Sequence, residues 1–82
     1  MKVEIVRSAL KGIERLPNEV LSRVQERIRA LGNDPMPSDS MKLRRTEGYR
    51  VRVGDYRIIY TLDVRERKVT VIGVKHRREA YR

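Results

Sequence analysis

The chain has 82 residues, no cysteine, and 20 Lys and Arg against 11 Asp and Glu, for a net charge of +9. That length holds one domain around one core, residues 1–82, with no room for a separate substrate domain. The lack of cysteine excludes a disulfide framework and a thiolate metal site, and fits a reducing cytoplasm.

No apolar run approaches the ~20 residues of a membrane span, and Met1-Lys2-Val3-Glu4-Ile5-Val6 is too short and too charged for a signal peptide. A cytoplasmic protein with no membrane partner is expected. Fifteen of the 20 basic residues are arginine, the side chain suited to bidentate phosphate contact. The charge gathers in the C-terminal half, which points to nucleic acid, an anionic membrane surface or an acidic protein as partner.

In chain order, Lys2 to Arg7 alternates and is rich in Val and Ile, a first strand. Ser8 is placed to cap a short helix from Ala9 to Leu16, whose Leu10, Ile13 and Leu16 share one face. Pro17 suits the first turn of a second helix. There Val20, Leu21, Val24, Ile28 and Leu31 form an apolar stripe, and Gly32-Asn33 followed by Pro35 ends it. Residues 34–40 read as a loop, and 41–45 fit no single element. Three strands follow, Tyr49–Val53, Tyr56–Leu62 and Lys68–His76, with Gly54-Asp55 as a two-residue hairpin turn and a second turn within residues 63–67. The order β-α-α-β-β-β predicts an α+β fold, with two N-terminal helices packed on one face of a small, mostly antiparallel sheet.

The Gly54-Asp55 turn sets Val53 opposite Tyr56, Arg52 opposite Arg57, Val51 opposite Ile58 and Arg50 opposite Ile59. Alternation then gives the helices a face of Tyr49, Val51, Val53, Tyr56, Ile58, Tyr60 and Leu62, and leaves Arg50, Arg52 and Arg57 on the other. A second turn at Glu66-Arg67 would put His76 opposite Arg57 on that same face, with Ile59, Ile72 and Val74 beside it and Lys75 on the helix side. A one-residue slip would reverse this assignment. Like charges set opposite each other in a sheet repel, and exposed cations mixed with apolar side chains mark a binding surface.

The scattered acids, the single histidine and the isolated glycines provide no carboxylate pair, zinc site, serine triad or phosphate loop. No metal or cofactor is expected. The chemistry left is metal-free phosphoryl transfer on RNA, in which a ribose 2′-OH attacks the adjacent phosphate. It needs a base, cations for the developing dianion, and an acid for the departing 5′-oxygen. Arginine supplies the cations but not the proton transfers, which leaves His76 and Tyr81.

The runs Gly48-Tyr49-Arg50-Val51-Arg52-Val53-Gly54-Asp55-Tyr56-Arg57-Ile58-Ile59-Tyr60 and Val74-Lys75-His76-Arg77-Arg78-Glu79-Ala80-Tyr81, with Lys42-Leu43 before them, resemble the RelE/ParE superfamily of toxins, on the RelE side. The resemblance runs the full length. It implies the toxin of a type II toxin–antitoxin system, a ribosome-dependent endoribonuclease that cuts mRNA in the A site by 2′-OH attack and leaves a cyclic phosphate and a 5′-hydroxyl. Carried over by position, it implies catalytic roles for Arg50, Arg52, Arg57, His76, Arg77 (or Arg78) and Tyr81. Lys42, Arg44, Arg45 and Arg78 are expected to bind RNA around them.

Best-known members have lysines at the first two basic positions, one of them assigned as general base. Arginines at 50 and 52 cannot take that part. No C-terminal helix is expected after Tyr81, which would leave the site open. The implied partners are the ribosome, mRNA and a cognate acidic antitoxin, RelB-like or of another class, with a heterotetramer as one assembly open to the pair. Two other classes stay open on sequence alone: a ParE-like inhibitor of DNA gyrase, and an RNA-binding relative without catalysis.

Overall fold

A computed structural model describes residues 1–80, with side chains through Arg78. The elements are β1 (Lys2–Ile5), α1 (Arg7–Glu14), α2 (Asn18–Asn33), β2 (Met41–Lys42), β3 (Tyr49–Val53), β4 (Tyr56–Asp63), β5 (Lys68–His76) and a helical turn, α3 (Arg77–Ala80). The strands form one sheet in the order β1-β5-β4-β3-β2. Only β1 and β5 run parallel; the other three pairings are antiparallel. The α+β architecture is the one expected, two helices against a mostly antiparallel sheet.

Four local details go beyond or against the sequence reading. Arg7 opens α1 rather than closing β1, so Ser8 lies inside the helix and Val6 takes the N-cap position without a side-chain cap. Gly32 and Asn33 form the last turn of α2 rather than ending it. Glycine suits position 32, since a Cβ there would come within 3.0 Å of Val3 Cγ2 and 3.1 Å of the Met1 carbonyl, a tight fit where the helix end meets β1. Residues 41–42, unassigned from sequence, form a short edge strand on β3. A helical turn also follows β5, over residues 77–80, which the sequence leaves unassigned.

The core lies between the helices and one face of the sheet. Ala9 and Ile13 of α1 and Val24, Ile28 and Leu31 of α2 meet Val51, Val53, Ile58, Tyr60, Val69 and Val71 from the strands. Six of these come from three adjacent strands and point the same way, as period-2 alternation demands. Tyr60 is the largest fully buried side chain. Its hydroxyl donates to the Pro35 carbonyl at 2.8 Å, so the bottom of the core is pinned to the loop of residues 34–40. Burial pushes the Tyr60 phenol above its ordinary value, with the Tyr49 hydroxyl adding to the effect and Ser40 and Arg27 opposing it.

Candidate functional site

The face of the sheet turned away from α1 and α2 carries the cations. The first hairpin has the expected register, with Arg50 opposite Ile59, Arg52 opposite Arg57 and Val53 opposite Tyr56. Gly54 makes this tight turn with a φ of 57°, a region glycine enters without steric cost.

On the second hairpin the register departs from expectation. The turn spans residues 64–67, so Asp63 pairs with Lys68, and the Glu66 amide donates to Asp63 Oδ1 at 3.0 Å. Arg67 takes the left-handed φ of 54° that closes it. Pairing then runs regularly from Lys68 to Val71 and shifts by one residue: Tyr60 faces Val71, but Ile59 faces Gly73. Ile72 is the extra residue of a β-bulge. It is 41% exposed.

The bulge exchanges the faces of everything after it. Lys75 lies opposite Arg57, and His76 lies opposite Tyr56 on the helix side. The expectation that His76 joins Arg57 while Lys75 turns inward is therefore reversed. Val74 also moves, pairing with Ile58 and packing against the core, so of the three apolar residues placed with the arginines only Ile59 and Ile72 stay.

Arg52, Arg57 and Lys75 consequently form one lateral row across β3, β4 and β5. At about 4.8 Å between strands, three cations span roughly 10 Å. Arg57, in the middle, is 5% exposed and is the one buried charged residue among those described. A guanidinium held so deeply is fixed in place before any ligand arrives, the condition under which a charge stabilises an anion without reorganising. Arg50 flanks the row, with its guanidinium 3.3 Å from Met41 Sδ. The arrangement can bind and neutralise an anion of high charge density.

His76 has a different occupation. Its Nδ1 accepts a hydrogen bond from the Arg78 amide at 3.3 Å, the contact an N-cap side chain makes to the first turn of a helix. Its ring meets Tyr56 edge-on, with centroids 5.1 Å apart at 90°. Arg77 is drawn to the β3–β4 turn: its amide donates to the Asp55 carbonyl at 2.7 Å, and its guanidinium lies 3.8 Å from Asp55 Oδ1 in an exposed pair. Arg78 is exposed on α3.

Lys42 pairs with Tyr49, placing it on the helix side of the edge strand, and Arg44 and Arg45 lie exposed in the loop that Leu43 and Gly48 close. These three form a basic sheet edge apart from the row. Tyr81 lies outside the described residues. The residue that sequence reasoning turned away from the face is Lys75. Only the position of the bulge could have found it, and no local turn motif marks that position.

The sequence matches, over residues 3–81, the family described as the ParE toxin of type II toxin–antitoxin systems, parDE. A protein of Methanocaldococcus jannaschii, assigned as a candidate toxin RelE1, is 31% identical over 84 residues, covering 98% of this chain and 93% of the relative. The fold matches the archaeal RelE–RelB complex of Pyrococcus horikoshii with a TM-score of 0.83 at 30% identity, over 93% of each chain. It also matches the toxin–antitoxin complex RelBE2 of Mycobacterium tuberculosis with a TM-score of 0.82 at 27% identity, over 92% of this chain and 95% of that one. With a family match spanning nearly every residue and RelE-type relatives that share its sheet and helices, the chain belongs to the RelE/ParE superfamily of type II toxin–antitoxin toxins.

Proposed function

We propose that this toxin is a ribosome-dependent, metal-free endoribonuclease that cuts mRNA in the A site and so stops translation. The observation that carries the reading is the row Arg52–Arg57–Lys75, three cations in direct cross-strand register with the middle one buried. Like charges opposed in a sheet cost stability, and an RNA phosphate passing through a dianionic transition state is a ligand that offsets this cost.

In the proposed reaction the 2′-oxygen forms a bond to the adjacent phosphorus as the bond from phosphorus to the 5′-oxygen breaks. Arg57 and Arg52 stabilise the charge on the non-bridging oxygens, and Arg50 orients the strand. Lys75, able to release a proton where arginine is not, protonates the departing 5′-oxygen. The 2′-OH proton passes to the Tyr81 phenolate, the proton carrier the sequence offers besides His76, which lies on the helix side of the sheet. The products are a cyclic phosphate and a 5′-hydroxyl. In the resting state the basic face is covered by a cognate acidic antitoxin of the RelB kind, the partner with which the archaeal relatives were crystallised.

The test is to map 5′ ends of a defined mRNA on programmed ribosomes. Cleavage inside the A-site codon should fall at least ~100-fold for Arg57→Ala, about 2.7 kcal/mol of transition-state stabilisation. Lys75→Ala should fall comparably on ordinary RNA and recover on RNA with a bridging 5′-sulfur at the cut, whose leaving group needs no proton. No cleavage by folded, antitoxin-free wild-type protein would sink the reading. Inhibited supercoiling by that same protein would then point to gyrase.

A further inference from the structure

Where α2 passes the β3–β4 turn, a cleft of about 360 Å³ opens between Arg23 and Arg27 on the helix and Arg52, Val53 and Gly54 on the hairpin, with Glu26 and Ala30 completing its lining. Arg23 and Arg27 stand four residues apart, the spacing at which like charges on a helix repel. Arg27 is occupied by Asp39. Arg23 and Arg52 make no hydrogen bond or ion pair with a described residue.

Arg23 is nonetheless placed. Its guanidinium nitrogens lie 3.5 and 3.8 Å from the point a Cβ on Gly54 would occupy, so the head group rests against the turn that the absent side chain leaves open. Across from it, Arg52 is the end member of the Arg52–Arg57–Lys75 row. The cleft and the row therefore meet at Arg52, and a polyanion lying over the row reaches the cleft by turning around the end of the hairpin. Glu26 is the single acid among the lining residues, against three arginines of which only Arg27 is paired with a described acid.

We infer that this cleft seats a second RNA backbone phosphate, between Arg23 and Arg52, distinct from the phosphate that undergoes cleavage. The inference rests on the RNA-cleaving reading above and adds to it a docking point away from the chemistry. The phosphate belongs either to the mRNA flanking the cut codon or to ribosomal RNA, and binding measurements separate the two.

The experiment measures affinity with an mRNA carrying a 2′-deoxy residue at the cut position, so that chemistry does not intervene. It uses the free oligonucleotide and programmed ribosomes, from low to moderate salt. Arg23→Ala and Arg23→Glu are compared with wild type and with Arg29→Ala, an exposed α2 arginine outside the cleft. Far-UV circular dichroism confirms that each is folded. Arg23→Ala should weaken binding by at least ~5-fold at low salt and lower the log–log salt slope by about 0.7 for a single strand or 0.9 for a duplex. Arg29→Ala should change neither.

A loss with the free oligonucleotide identifies mRNA as the source of the phosphate. A loss with ribosomes alone identifies ribosomal RNA, and either supports the site. Wild-type affinity for Arg23→Glu in both settings overturns it while leaving the endonuclease reading intact. A wild-type protein that binds neither overturns both.

Discussion

Lys75 and His76 are neighbours in the chain and leave the sheet on opposite faces, as adjacent strand residues must. His76 accepts the Arg78 amide and meets Tyr56 edge-on, and in the proposed reaction it positions the helical turn and carries no proton. His76→Asn should then cleave within ~3-fold of wild type, because asparagine is a strong N-cap, whereas His76→Ala should loosen α3 at a cost of about 0.5–2 kcal/mol. Amide exchange at Arg78 together with the cleavage rate decides the matter. An Asn variant as inactive as Arg57→Ala would return His76 to the chemistry.

Tyr60 makes a second residue-scale case. Its phenol is raised by burial, so the neutral form is favoured in the folded state, while the unfolded chain ionises it near the ordinary value of about 10. Its contribution is complete below that pH and is lost as pH rises from there through the higher folded-state value. Tyr60→Phe forfeits the hydrogen bond to Pro35, costing about 1 kcal/mol at neutral pH. The difference in unfolding free energy between wild type and Tyr60→Phe should shrink above about pH 10. A difference that grows there would contradict the assignment.

At the scale of elements, the glycines separate by what surrounds them. A Cβ at Gly12, inside α1, meets nothing within 4 Å, so Gly12→Ala should stabilise by about 0.5–1 kcal/mol through helix propensity. Gly48 stands at a φ of 128°, and a Cβ there would come within 2.9 Å of the Tyr60 carbonyl. Gly48→Ala should destabilise by at least ~2 kcal/mol, from strain and a backbone clash together. Urea unfolding of the two variants gives opposite signs, and the same sign for both would show that these surroundings do not set their stability.

The hairpins differ in the same way. The first is joined by two residues, and so short a turn leaves one register; Arg50, Arg52 and Arg57 could be grouped from the residues alone. The second has a longer loop and an extra residue at Ile72, whose place is settled by Val69 and Val71 packing into the core before it and Val74 packing after it.

For the whole molecule, a charge of +9 on 82 residues makes every anionic partner's binding salt-dependent, the antitoxin's included. The proposed toxin–antitoxin complex should form more slowly as salt rises, with a much smaller change in its dissociation rate, since exposed charges steer encounter more than they hold the complex together. Stopped-flow association across a salt series checks this, and a salt-independent association rate would assign the interface to apolar contact instead.

Length, charge, the helix–helix–strand order and the basic hairpin are local or additive properties. They follow from periodicity, from turn chemistry and from counting, and so they could be read residue by residue. Which cation stands beside Arg57, what His76 touches, and how Arg23 comes to rest against Gly54 are set by contacts between segments distant in the chain. A single bulged residue in β5 reverses the direction of each side chain after it, and its position follows from how the apolar residues on either side fill the core.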